Sequence, residues 1–352
     1  MPLRITSIVG ARPQFIKAAA LSREIRKSHT EFLIHTGQHY DYQMSGVFFD
    51  GLEIPPPDVN LGIGSGLHGA QTGAMLEAIE RVLVKEQPDY LIVYGDTNST
   101  VAGALAAAKL RIPLVHVEAG LRSFNRAMPE EINRVVADHV SDILFCPSMV
   151  AVGNLANEGI LKNVHVVGDV MLDVLNWAQR RLEATPSSIL NSLGLSQAGY
   201  VLATLHRSEN TDNLPRLSGI LSALNNLNEV VVFPVHPRTK KAIASAGLTV
   251  AANVRLIDPV SYLDMVALMK GARLITTDSG GLQKEAYWLQ RPCITMRNET
   301  EWVETVDQGW NLLVGADQGL IESAVKSGTP KSPWRPLYGD GAASQKCVEL
   351  LG

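Results

Sequence analysis

Leu274-Ile275-Thr276-Thr277-Asp278-Ser279-Gly280-Gly281-Leu282-Gln283-Lys284-Glu285 reads as a strand, a tight turn and the opening of a helix. Residues 274–277 form an unbroken apolar and β-branched run, as expected of a parallel strand covered on both faces. In the turn, paired glycines let the backbone approach an anion closely, and the helix start supplies N–H donors. Ser279, Gly280 and Gly281 are therefore candidate phosphate ligands, against the plainer reading of a tight turn with no ligand. Glu285, one turn along, is placed to accept from ribose hydroxyls.

The same alternation runs through the chain. Strands fall near 3–9, 31–36, 90–95, 113–117, 142–146 and 163–167 in the first half. In the second half they fall near 200–205, 229–235, 254–257, 273–277, 292–296 and 311–314. Longer helix-patterned segments lie between them, which predicts α/β architecture with doubly wound parallel sheets. Six strands in each half predict two similar Rossmann-like domains, residues 1–170 and 171–332. The helical stretch 169–183, followed by Ala184-Thr185-Pro186-Ser187-Ser188, is the expected junction. Ligands of open parallel sheets bind beyond the carboxyl ends of the strands, so two such domains face to face would form a cleft. Pro55-Pro56-Pro57 and Gly62-Ile63-Gly64-Ser65-Gly66 read as a long loop before a helix near 68–86, either plain surface or an active-site flap.

Composition narrows the class. A chain of 352 residues, 46% hydrophobic and 19% charged, is too long for one core of typical size, which again favours two domains. A net charge of -4 gives no reason to expect nucleic acid or an anionic membrane as partner. Cys146, Cys293 and Cys347 are widely spaced and odd in number, as small core residues of a reducing compartment would be. The chain enters Leu3-Arg4-Ile5-Thr6-Ser7-Ile8-Val9 directly, and no apolar run approaches the roughly 18 residues of a membrane span. A cytoplasmic protein is expected.

Chemistry concentrates at the strand ends. The first βα turn, Val9-Gly10-Ala11-Arg12-Pro13-Gln14, lacks the GxGxxG of dinucleotide sites, so no nicotinamide cofactor is expected. Pro13 suits the first turn of a helix. Arg12 and Lys17 either hold a phosphate near that helix start or are solvated surface cations. Asp96, Glu118 and Glu130 or Glu131 are separate carboxylates, two of them at strand ends. Clustered, they would titrate as a coupled set, with at least one raised into the range of a general acid or base. Singly, the plainer roles outweigh this: Asp96 capping the helix that begins at Thr97, and Glu131 pairing with Arg134. His206-Arg207 and His236-Pro237-Arg238 follow strands, where arginine binds and histidine protonates a departing diphosphate. His39, His68 and His116 are possible lining residues. No metal is expected, because no His, Asp and Glu share ligand spacing on one helix face.

Together these residues resemble the non-hydrolysing UDP-N-acetylglucosamine 2-epimerases. The resemblance rests on Gly10-Ala-Arg-Pro-Gln, Tyr94-Gly-Asp-Thr-Asn-Ser-Thr, His116-Val-Glu-Ala-Gly-Leu-Arg, Pro129-Glu-Glu-Ile-Asn-Arg, His206-Arg-Ser-Glu-Asn, His236-Pro-Arg, Asp278-Ser-Gly-Gly and Tyr338-Gly-Asp-Gly, which come in the family's order across essentially the whole chain. It implies a GT-B-like pair of Rossmann-like domains, a homodimer, and a C-terminal helix, residues 333–352, that completes the first domain. It also implies a reaction needing no cofactor: anti elimination of UDP across C1–C2 to a 2-acetamidoglucal, then re-addition with a proton on the other face. By motif position, Asp96, Glu118 and Glu130 are the acid/base carboxylates and His206 assists at the departing phosphate. Arg12, Lys17, Arg134, Arg207, His236, Ser279, Gly280, Gly281 and Glu285 bind the UDP-sugar.

Two features set this chain apart. Family members activated by their own substrate commonly read Gln-His-Arg-Gln where this chain reads Gln38-His39-Tyr40-Asp41, which argues against such activation here. Gly10-Ala11-Arg12-Pro13-Gln14 and Val167-Gly168-Asp169-Val170 are also similar to the branch acting on UDP-2,3-diacetamido-2,3-dideoxyglucuronic acid. That substrate's carboxylate needs an extra cation, for which Arg122, Arg126 and Arg207 are available. A GT-B glycosyltransferase, a hydrolysing epimerase and a non-catalytic nucleotide-sugar sensor are the competing classes. The set of three carboxylates favours the epimerase.

Overall fold

The structure, a computed structural model, describes residues 1–38, 51–328 and 330–352. His39, Tyr40 and Asp41 lie outside the described residues. The chain divides into two compact units, Met1–Trp177 with Leu337–Gly352, and Ala178–Pro336.

The first unit is built on β1 (Arg4–Val9), β2 (Thr30–His35), β3 (Val59–Asn60), β4 (Tyr90–Tyr94), β5 (Leu114–Val117), β6 (Ile143–Cys146) and β7 (Val164–Val166). These form a parallel sheet ordered β3-β2-β1-β4-β5-β6-β7. Ile8, Leu33, Ile34, Leu91, Ile92, Val93, Leu114 and Val115 are fully buried in it, which is why these strands read as continuous apolar runs. Strand β3 was not anticipated. Two residues carry no periodicity, and tertiary ties hold them instead: Asp58 N donates to Leu33 O (2.9 Å), and Leu33 N donates to Asp58 Oδ2 (2.7 Å).

Helix Asn98–Leu110 lies close on this sheet because its residues are small. A Cβ added at Gly103 would fall 2.6 Å from Ile8 Cδ1 and 3.0 Å from Val93 Cγ1. The cap of this helix is Thr97, whose side chain accepts from Thr100 N, so capping does not occupy Asp96. Helix Ala343–Leu351 returns to the first unit and packs against helix Arg12–Ser28. Asp173, on helix Val170–Ala184, accepts from the N–H groups of Ala343 (3.1 Å) and Ser344 (2.7 Å), serving the exposed donors of that helix start.

The second unit carries β8 (Tyr200–Thr204), β9 (Val230–Pro234), β10 (Val254–Ile257), β11 (Leu274–Thr277), β12 (Cys293–Thr295) and β13 (Asn311–Leu313), all parallel, in the order β10-β9-β8-β11-β12-β13. Its core gathers Val201, Leu221, Val231, Phe233, Leu274 and Ile321. In each sheet the strand order reverses once, between β1 and β4 and between β8 and β11. Those are the positions where open α/β sheets bind ligands. Among the described residues no helix is long and apolar enough to cross a membrane. Cys146, Cys293 and Cys347 are buried and unpaired.

Candidate active site

The reversal in the first sheet is laced together by one amide. Gln14, buried in the first turn of helix Arg12–Ser28, accepts from Gly10 N (2.9 Å) and Ala11 N (3.1 Å) through Oε1. Its Nε2 donates to Tyr94 O (3.0 Å) and Thr100 Oγ1 (3.0 Å), joining the mouth of β1 to the mouth of β4. Gly10 admits this closure: a Cβ there would sit 2.1 Å from Thr36 Oγ1 and 2.2 Å from Ser99 Oγ. Sequence reasoning quoted Gln14 in a motif but gave it no role. Its signal was an amide three residues into a helix, where it can reach back to the turn.

Asp96 and Glu118 follow the neighbouring strands β4 and β5, whose register pairs Tyr94 with Val117. Like-charge clustering was the expected source of their chemistry. Instead, each carboxylate has its own cation. Lys17 Nζ donates to Glu118 Oε2, with both side chains under 10% exposed (7% and 8%). Arg134 Nη2 donates to Asp96 Oδ2, while its Nη1 donates to Glu131 Oε2 (2.9 Å). Lys17 and Arg134, assigned to the substrate by the resemblance, thus contact carboxylates in this structure. Asn133 Nδ2 donates to Asp96 O (2.9 Å) and steadies the same turn. Glu118 itself has φ of 70°, a left-handed conformation that costs a non-glycine residue of order 1–3 kcal/mol. Such strain persists where the surroundings over-determine it, and it concentrates at functional sites.

The adjacent glutamates of the Pro129–Val140 helix differ in kind. Glu130 is exposed at the first turn. Glu131 is 2% exposed and accepts from Ser123 N, Ser123 Oγ and Phe124 N, each at 2.9 Å, so it organises the preceding loop. Arg122 is 3% exposed and bonded to Asp138 and both oxygens of Glu158. That removes it as a cation for a substrate carboxylate. Nor does His116 line a surface: it is fully buried. His68, exposed at a helix start, lies 3.1 Å from Asn98 Nδ2. Arg12 is half-buried at its helix N-terminus.

In the second unit the central group is Asp278, to which sequence reasoning assigned no separate role. It is completely buried, and its carboxylate accepts from His206 N (3.0 Å), Arg207 N (2.9 Å) and Asn210 Nδ2 (3.2 Å), with His206 Nδ1 3.1 Å away. Burial alone would raise this carboxyl. The His206 ring and the backbone donors of Arg207 and His206 outweigh it and hold the group below the usual carboxylate range. Strand pairing of β8 with β11 brings these residues together across 72 positions of sequence. The His206 side chain is 46% exposed. Asp278→Asn should therefore destabilise this unit by about 2 kcal/mol at pH 7, the scale of hydrogen bonds to a charged group. A depressed carboxyl stabilises above its unfolded pKa of about 3.9, and the contribution is lost as pH falls through the folded value. The melting difference between variant and wild type should accordingly begin to narrow below about pH 4. A constant difference down to acid unfolding would refute this.

Ser279, Gly280 and Gly281 open helix Gly280–Trp288, and the Ser279 side chain makes no capping hydrogen bond. A Cβ added at Gly280 would lie 4.0 Å from Arg207 Nη2, so Arg207 flanks the turn. Glu285 is 2% exposed and accepts from Tyr262 OH (2.7 Å). His236 caps helix Pro237–Ser245, its Nδ1 accepting from Arg238 N (3.2 Å).

Two Rossmann-like units, with acid/base side chains at one sheet reversal and an anion-receptive turn at the other, define a nucleotide-sugar enzyme of GT-B-like architecture. The chain belongs to the UDP-N-acetylglucosamine 2-epimerase family of isomerases, whose sequence model matches residues 23–352. It is 53% identical over 354 residues to a UDP-N-acetylglucosamine 2-epimerase homolog of Methanococcus maripaludis, covering 99% of each chain. It is 51% identical over 361 residues to the UDP-2,3-diacetamido-2,3-dideoxy-D-glucuronate 2-epimerase of Pseudomonas aeruginosa, again with 99% of each covered. Among solved structures, the Methanocaldococcus jannaschii UDP-GlcNAc 2-epimerase in complex with UDP-GlcNAc and UDP is similar at a TM-score of 0.93 and 42% identity over 99% of both chains.

Proposed function

We propose that this protein interconverts UDP-GlcNAc and UDP-ManNAc without hydrolysis. The observation that carries the reading is Glu118, a nearly buried carboxylate in a strained backbone conformation with Lys17 as its counter-ion, beside the Asp96 turn. The C2 proton of the sugar has no adjacent carbonyl, so simple deprotonation is out of reach. Concerted loss of UDP solves this. A carboxylate takes the C2 proton, the C–H electrons become the C1–C2 double bond, and the C1–O electrons leave with the β-phosphate. In the return step a UDP oxygen adds to C1 while a carboxylic acid delivers a proton to the other face of C2. Asp96, Glu118 and Glu130 supply the acid/base groups. Cations and N–H donors suited to the diphosphate are Arg12, Arg207 and the Ser279-Gly280-Gly281 turn, with His206 at the departing phosphate and Glu285 at the ribose. Lys17 and Arg134 hold the carboxylates, and His236 sets the start of its helix.

Proton NMR with UDP-GlcNAc in D2O tests the reaction. The expected result is appearance of the manno epimer with deuterium at C2, lost in Asp96→Ala, Glu118→Ala and Glu130→Ala. Free sugar as product would refute the non-hydrolysing mechanism. Inertness toward UDP-GlcNAc with turnover of the diacetamido uronic acid would move the substrate to the Pseudomonas-like alternative, whose carboxylate Arg126 or Arg207 would have to meet. The buried, unpaired thiols suit a reducing, cytoplasmic setting. The working form is proposed to be a homodimer, which light scattering of the purified protein checks.

A further inference from the structure

Behind the turns carrying Asp96 and Glu118 lies a charged cluster with almost no surface. His116, on β5, is completely buried, with Nε2 2.8 Å from Gly95 O and Nδ1 2.7 Å from Asp138 Oδ1. A carbonyl oxygen only accepts, so Nε2 carries a proton. Burial pushes the Asp138 carboxyl up, but His116 and Arg122 beside it more than compensate and keep it below its ordinary range. The Asp138 carboxylate meets the other ring nitrogen, so the imidazole is held at both ends. Around it stand Asp138, Arg122 with its partner Glu158, and the Cys146 thiol, which burial pushes up to about 12 and so keeps neutral. The Arg122 guanidinium stands between two carboxylates, Asp138 in the interior and Glu158 toward the surface.

Its placement gives it a use. Gly95 immediately precedes Asp96, and Gly120, two residues beyond Glu118, donates its N–H to Asp138 Oδ2 (3.2 Å). Gly95, Glu118 and Gly120 all have positive φ, at 61°, 70° and 79°, so neither turn is held by regular secondary structure alone. One side-chain pair therefore ties both carboxylate-bearing turns to a common point.

We propose that His116 and Asp138 are positioning residues that set the spacing of the Asp96 and Glu118 carboxylates in the reacting enzyme. The kinetic part rests on the epimerase reading; the structural part does not. Misplacement of a reacting group by about an ångström costs on the order of 100-fold in rate. Two isosteric variants separate the contacts. His116→Gln keeps a donor near the Nε2 position for Gly95 O, whereas His116→Asn keeps one near Nδ1 for Asp138 only.

The test combines UDP-GlcNAc kinetics with ring-nitrogen NMR of the 15N-histidine-labelled full chain. Expected are a roughly 100-fold loss of kcat in His116→Asn with KM within about threefold, and recovery of about tenfold in His116→Gln. In wild type, the His116 Nε2 proton should exchange slowly, as a proton held on Gly95 O inside the core would. A rapidly exchanging Nε2 proton in wild type overturns the tie to Gly95, whether or not the variants fold. Equal losses in the two variants, or wild-type kcat in His116→Asn, overturn the positioning role. If wild type leaves UDP-GlcNAc untouched, the activity reading fails separately. Amide shifts of Asp96 and Glu118 then decide: movement in His116→Asn with restoration in His116→Gln supports the tie, and unmoved signals sink it.

Discussion

Glu118→Gln should lower turnover of UDP-GlcNAc by about 1,000-fold, within the range that one positioned acid/base group contributes. Glutamine keeps the size of the side chain and an oxygen to accept from Lys17, so the shape of the site is kept although the nearly buried pair loses its charge balance. What it removes is the capacity to take or return a proton. KM should stay near its wild-type value, and deuterium incorporation at C2 should fall in step with kcat, the pattern of an interaction made in the transition state. Wild-type deuterium incorporation by the variant would exclude Glu118 as a proton carrier. Lys17→Met is a different lesion. It strands a nearly buried carboxylate without its cation, and breaking such a pair costs on the order of 3–5 kcal/mol. Its effect should appear in melting as well as in rate, and Glu118→Gln, which leaves the nearly buried Lys17 without its anion, should melt below wild type too.

The second large effect is expected at Gly168→Ala. Here the chain passes the Tyr338-Gly339 segment so closely that Asp169 N donates to Tyr338 O at 2.8 Å. Gly168 and Gly339 both have φ of +93°, and a Cβ on Gly168 would lie 2.9 Å from Tyr338 O and 3.1 Å from Gly339 Cα. Both obstructing atoms are backbone and cannot rotate aside. Backbone strain of about 1–3 kcal/mol and overpacking of about 1–3 kcal/mol together predict a loss of about 2–6 kcal/mol. That corresponds to a fall in Tm of roughly 10 °C for a unit of this size. The crossing also seats helix Ala343–Leu351 on Asp173, so the variant should expose the buried Cys347 to thiol reagents. An unchanged Tm together with an unreactive Cys347 would refute the account.

Strand positions were legible because each strand that is buried on both faces must be apolar throughout. Strand β3 was not, since its two residues are held by Asp58 and Leu33 rather than by a pattern of their own. The residues at strand mouths stood out as polar interruptions after apolar runs, and Asp96, Glu118, His206 and the Asp278 turn all occur there. Their partners did not stand out. That Lys17 meets Glu118, 101 positions away, or that Asp278 gathers the His206 loop from 72 positions away, depends on which strands lie side by side. Local propensity does not encode that adjacency.

Sequence alone determined the alternation of strand and helix, the parallel character of the sheets, and the chemical types available at their ends. These follow from side-chain hydrophobicity and backbone preference within a few residues. Only the tertiary structure decided which charges pair, that His116 is buried between Gly95 and Asp138 rather than lining a surface, and that Glu131 organises a loop while Glu130 faces solvent. Those outcomes depend on distances between segments remote in sequence, and on a low-dielectric interior where an ion without its partner is too costly to keep.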